Sequence, residues 1–204
     1  MVQEFVAKNR SKFDQAFVQD FRPKDGAICI FAQDFLEPKF HTHHLTFPEL
    51  IEGVLANRAG RPVYIKPHPA QSFDEAAKLM TYHAPDDGIE VTTHSIHGLL
   101  ESASVAVTLT SAVAFEANLH KVPAILGGQT DFHHNAVTVT HQSGIKAALA
   151  EAESREFHFE KYLVWFLTHG LIRPKHADAA RKRIETLLTL KGYPVGPSAT
   201  NGLF

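Results

Sequence analysis

The sequence predicts an α/β fold, a parallel sheet flanked by helices, and three observations lead there. Short apolar runs rich in Val, Ile and Phe alternate with longer amphipathic segments, which is the order of strands and crossover helices. One of these runs, 104–109, reads as a strand buried on both faces. Gly, Pro or Asp punctuates the junctions. At 204 residues, 44% of them hydrophobic, the chain can bury one good core, so a single domain over 1–191 and a Gly-, Pro- and Ser-rich extension over 192–204 are expected.

The elements follow in order. Phe5, Val6, Phe13, Phe17 and Val18 recur near helical spacing, so 4–21 is expected as a helix that Pro23 and Gly26 end. A strand follows at 27–32. Pro48 opens a helix, because proline in the first turn lacks only a donor that would be unpaired there, and Gly60 stops it. The second strand, 63–66, ends at Pro67, and Ser72 caps a helix reaching about residue 82. Asp86, Asp87 and Gly88 turn the chain into a third strand, 89–91. A short helix over 95–103 leads to the fourth strand, the segment TSAVAFEANLH opens a helix from that strand's end, and VPAIL makes a fifth strand. Helices at 157–168 and 177–190 are expected to finish a Rossmann-like domain.

Charge and cysteine content narrow the partners. The 20 basic and 22 acidic side chains leave −2 overall, so nothing global attracts nucleic acid and any phosphate site must be local. The single cysteine, Cys29, lies in the apolar run AICIF, which fits a reduced compartment and a core role. The first residues lack the apolar stretch of a signal peptide, and no run approaches the roughly 18 apolar residues of a membrane span. A cytoplasmic location is therefore expected, with peripheral contact to the inner membrane left open.

Ligands of an open parallel sheet bind beyond the carboxyl ends of its strands. Two segments fall there. In YIKPHP, Lys66, His68 and Pro69 follow the second strand, and prolines on both sides of His68 restrict its backbone. A cation beside an imidazole suits a phosphate, although the same prolines also serve simply to end a strand. In VTLTSAVAFEANLHKVPAILGG, the hydroxyls of Thr110 and Ser111 stand where the fourth strand turns into a helix, where they can hold a phosphate or only cap the helix. Glu116, further along that helix, can accept from ribose hydroxyls or be merely solvated. Gly127 and Gly128 allow close backbone approach or a tight turn. Gln33 and Asp34, just past the first strand, are placed to face the same cleft. The scheme requires the second and fourth strands to be neighbours that deliver an imidazole and a hydroxyl-bearing helix start to one anion pocket.

Together, a strand ending in KPHP, a strand ending in a Thr-Ser pair, a helix containing Phe-Glu-Ala, and a strand followed by glycine resemble the capsule polysaccharide synthesis and export family of Kdo transferases, over about residues 27–128. The chain differs from that family at Ala114, where glycine is usual, and in QTDFHHNAV after the fifth strand, which leaves the acceptor side unassigned. The resemblance implies one lobe of a GT-B-type glycosyltransferase, with the helix at 4–21 belonging to an inter-lobe region and a CMP-sugar, CMP-Kdo or similar, as donor. It implies that Lys66 and His68 contact the CMP phosphate or the sugar carboxylate, that Ser111 contacts phosphate and that Glu116 contacts ribose. His68 and Asp34 are the candidate catalytic residues. Lys66, His68, Pro69, Thr110, Ser111, Glu116, Gln33 and Gly127 are the candidate substrate-binding residues. The expected partners are the nucleotide-activated sugar, a glycan or glycolipid acceptor, and a second lobe or partner protein. CDP-glycerol or UDP-sugar chemistry, and a non-catalytic module docking through an apolar patch at 162–167, are the alternatives.

Fourteen histidines cluster at His41, His43 and His44, at His94 and His97, and at His133 and His134. HTHH offers two ligands on one face only if extended, short of the three or four that zinc needs, so no metal and no cofactor are expected. Histidine lining of an anion cleft predicts that phosphate or CMP affinity weakens as pH rises from about 6 to 8.

Overall fold

The computed structural model describes residues 23–33, 42–172 and 176–193. The expected helix at 4–21, Asp34, His41 and most of the C-terminal extension lie outside them. The chain divides into two compact units, Met1–Glu160 and Lys161–Phe204.

The first unit is built on β1 (Ala27–Phe31), α1 (Phe47–Asn57), β2 (Val63–Lys66), α2 (Phe73–Met80), β3 (Ile89–Val91), α3 (Ile96–Leu100), β4 (Ala103–Thr108), α4 (Val113–Leu119), β5 (Ala124–Leu126), β6 (Val137–Thr138) and α5 (Ile145–Ser154). The strands form one sheet in the order β3-β2-β1-β4-β5-β6, with every pairing parallel. This is a Rossmann-like α/β sheet, the architecture of one lobe of a GT-B-type fold. Among the described residues no helix is long and apolar enough to cross a membrane.

Local chemistry sets the helix starts. Thr46 and Glu49 form a capping box at α1: the Thr46 hydroxyl accepts from Glu49 N at 3.3 Å, and Thr46 N donates to the Glu49 carboxylate at 2.7 Å. Ser72 and Glu75 repeat the device at α2. Gly88, at φ 73°, closes the turn before β3 in the left-handed region that glycine tolerates.

The alternation of side chains along β1 divides the core into two layers. Ile28 and Ile30 pack in one cluster with Leu50, Ile51 and Val54 of α1 and Ile145, Ala148 and Leu149 of α5. Ala27, Cys29 and Phe31 pack in the other with Ile96, Leu99 and Leu100 of α3 and Val113 and Ala117 of α4. A central strand with both faces covered has no polar side, which is why the run AICIF is apolar throughout. Burial also pushes the Cys29 thiol up to about 12, so it stays an inert thiol in the core.

The structure corrects one expectation and adds two elements. β2 and β4 are not neighbours, because β1 lies between them. The chain winds outward through β2 and β3, then crosses back over β1 through α3 to lay β4 on its other side. The added elements are β6, too short at two residues to show a period, and α5. Ile145, Ala148, Leu149 and Ala152 of α5 do recur at helical spacing, but three alanine-rich turns carry a weak apolar signal.

In the second unit, α6 (Phe159–Trp165), which begins at the end of the first, runs into a π-helical turn over Phe166–Gly170, and α7 is Ala177–Leu190. Tyr162, Leu163 and Phe166 are buried while Val164 and Trp165 are exposed, so the apolar patch read at 162–167 is split between two faces of a helix.

Leu50 is fully buried between sheet and α5. Replacing it with Ala should cost about 2 to 5 kcal/mol, seen as a lower urea midpoint at unchanged slope.

Candidate functional site

The carboxyl ends of β2, β1 and β4 converge on a cavity of about 320 Å³, at the small end of the range of about 300 to 1,000 Å³ usual for small-molecule sites. Gln33, Lys66, His68, Pro69, Thr110, Ser111 and Glu116 all line it, with Phe31, Ile96 and Phe132 as apolar neighbours. It lies where the winding of the sheet reverses between β1 and β4, the crevice in which doubly wound sheets place ligands.

Gln33 bridges that crevice. Its Oε1 accepts from Thr110 N at 2.6 Å and lies 3.0 Å from the Thr108 hydroxyl, while its Nε2 donates to Thr110 Oγ1 at 3.2 Å. His43 Nε2 reaches the same Thr110 oxygen at 3.1 Å. The Gln33 carboxamide is therefore engaged in fixing the end of β4 against the end of β1.

A second chain of bonds fixes the loop after β2. Gln71 Nε2 donates to Gln33 O at 3.0 Å, and Gln71 Oε1 accepts from His68 N at 2.8 Å. Ala70 N donates to His68 Nδ1 at 3.2 Å. An Nδ1 that accepts a backbone N–H carries no proton, so a neutral His68 holds its proton on Nε2, as a donor. Lys66 is only 7% exposed and donates to Thr93 O at 3.0 Å. Burial lowers its ammonium from 10.5 to about 8, because the charged form loses hydration in the protein. The site thus holds a cation under electrostatic tension that an anion would relieve.

Ser111 Oγ accepts from Val113 N at 3.3 Å, which leaves its hydroxyl hydrogen to donate. Glu116 is 9% exposed and its Oε2 stands 4.0 Å from Nε2 of His97. Gly127 does not line the cavity. Its amide donates to Thr108 O, its carbonyl accepts from His44 N and Leu45 N, and a Cβ there would stand 2.8 Å from Leu109 Cδ2, so it serves close packing behind the site. Among the described residues, no group of three His, Cys, Asp or Glu side chains is placed to hold a metal ion.

Sequence reasoning missed Thr108, Gln71 and Thr93. Gln71 and Thr93 act through contacts made across 38 and 27 residues, which no local pattern announces.

No family model matches the chain, and no curated protein sequence matches it. Solved structures do resemble it. The β-Kdo 2,4 transferase KpsC of Thermosulfurimonas dismutans superposes with TM-score 0.50 at 15% identity, over 74% of this chain and 52% of that one. The UDP-GlcNAc 2-epimerase of Methanocaldococcus jannaschii superposes with TM-score 0.50 at 13% identity, over 82% of this chain and 49% of that one. At such identities the likeness is one of fold, and this chain spans about half the length of each.

Lys66→Met should preserve or raise the melting temperature at pH 7, since it removes a desolvated charge, while weakening phosphate binding. The sign follows from linkage: the penalty on the wild type is full below about 8 and fades as pH rises toward 10.5, so the stability gap between the two should close over that interval.

Proposed function

We propose that this chain is the nucleotide-sugar-binding lobe of a glycosyltransferase for capsular or other surface polysaccharide, taking a CMP-Kdo-like donor and acting with a second lobe or partner protein on a glycan or glycolipid acceptor. One observation carries the reading: Lys66, His68 and Ser111, three anion-recognising groups from two strand ends on either side of β1, line a single cavity at the switch point. The resemblance of the KPHP and Thr-Ser segments to Kdo transferases supports the choice of donor.

In this reading the phosphate of the nucleotide sits among the Lys66 ammonium, the His68 Nε2–H and the Ser111 hydroxyl, and the ribose lies toward Glu116. When the bond from the anomeric carbon to the phosphate oxygen breaks, negative charge collects on the leaving phosphate. Donors already fixed in place, as His68 is by Gln71 and Ala70, stabilise that charge without having to reorganise. Asp34, next to Gln33 in the chain, is the second candidate catalytic residue. A nucleoside monophosphate leaving group carries one phosphate, so the scheme calls for no divalent ion.

A second reading, a UDP-sugar ligand, is favoured by the equal superposition on the UDP-GlcNAc 2-epimerase. Competition among CMP, CDP and UDP for the site decides between them: CMP should displace best, and preference for UDP would move the assignment.

His68→Ala should lower CMP affinity by about 1.5 to 3 kcal/mol, the usual worth of a hydrogen bond to a charged group; unchanged affinity in calorimetry would take His68 out of the site. Binding of CMP should also weaken as pH rises through about 8, where Lys66 loses its proton, with proton uptake on binding near that pH. A flat profile from pH 6 to 9 would exclude Lys66 as the cationic partner.

A further inference from the structure

Behind the cavity wall lie two histidines that the proposed chemistry does not use. His97 is 3% exposed on α3, Glu116 stands on α4, and His120, four positions on, is the C-cap of that helix. His97 lies beside both. Its Nδ1 lies 2.8 Å from His120 Nε2 and its Nε2 lies 4.0 Å from Glu116 Oε2.

The protons in this row can be assigned. The short contact between His97 Nδ1 and His120 Nε2 holds one proton. Were it carried by His97 Nδ1, a neutral His97 would turn the lone pair of Nε2 toward a buried carboxylate, two electron-rich atoms facing each other where little water screens them. With the proton on His120 Nε2, His97 accepts at Nδ1 and carries its own proton on Nε2, directed at Glu116. A cationic His97 would likewise point an Nε2–H at Glu116 while donating Nδ1–H to His120, so in either state the carboxylate faces a donor. Burial, with the neighbouring His97 adding to it, lowers His120 to about 4, in keeping with a neutral ring.

We infer that His97 is a positioning residue of the site: held in its Nε2–H form by His120, it keeps Glu116 ionised and oriented on the cavity wall to accept from a ligand hydroxyl. Glu116 Oε2 is buried beside His97, so the carboxylate meets the cavity with its other oxygen, an acceptor that matches a hydroxyl better than a phosphate, which it would repel. The inference rests on the reading that the ligand is a ribonucleotide, and it makes the His97 row the source of discrimination between ribose and deoxyribose.

The test uses the full chain and two probes, CMP and 2′-deoxy-CMP, with affinities from calorimetry. The wild type should bind CMP roughly tenfold more tightly, the worth of one or two hydrogen bonds to a carboxylate. His97→Phe should bring the two affinities within about twofold, and His97→Gln, whose amide can stand in for the Nε2–H, should restore part of the preference. His120→Leu, at a half-buried position where folding is less at risk, should narrow the ratio as well. In the unliganded protein, two-bond proton–nitrogen correlations should place the His97 proton on Nε2. An Nε2 found without a proton, or a full ribose preference retained in a folded His97→Phe protein that still binds CMP, overturns the inference alone. A wild type that binds neither nucleotide overturns the ribonucleotide reading instead, and the imidazole measurement still judges the row on its own.

Discussion

Where the winding of the sheet reverses, the loops after β1 and β4 part to opposite faces and their strand ends are left without backbone partners across the gap. The Gln33 carboxamide spans that gap, giving one oxygen to the Thr110 amide and one N–H to the Thr110 hydroxyl. The placement of every group around the cavity follows from it. Thr110 fixes where Ser111 and α4 begin, and the Gln33 carbonyl, through Gln71, fixes the loop that carries His68. A side chain read in the sequence as a candidate substrate contact is thereby engaged in the frame.

The frame also explains the charge economy of the site. A lysine at the buried end of a strand would ordinarily be paired with a carboxylate, which would restore its usual proton affinity. Here its bonded partner is the Thr93 carbonyl, a dipole rather than an ion, and the ammonium stays cationic only marginally above neutral pH. Glu116, the acidic group on the same wall, is turned toward His97 instead.

Much of this was legible in the residues. The strands β1 to β5 could be read as short apolar runs between amphipathic segments, and α1 and α2 because Pro48 and Ser72 mark their starts. Lys66, His68, Thr110, Ser111 and Glu116 could be placed at strand ends because Pro67 and the Thr-Ser pair mark those ends. The order of the strands was not legible: nothing local distinguishes a crossover that lays β4 beside β2 from one that carries it past β1. Nor was the commitment of Gln33, which depends on a threonine 75 residues away, or the row formed by His97 and His120, since His97 was read as cleft lining with His94 and proves to be buried against His120.

The segment between Gln33 and Thr42 enters and leaves through anchors that stand close together. At one end is the Gln33 bridge to Thr110. At the other, Gln129 N donates to Thr42 O at 2.7 Å, His43 forms a bridge with Gly128, and a Cβ on Gly128 would fall 2.6 Å from the Thr42 carbonyl. Both ends are pinned to the sheet by contacts of their own, so a change of length in the sequence between them leaves the frame around Thr110 in place.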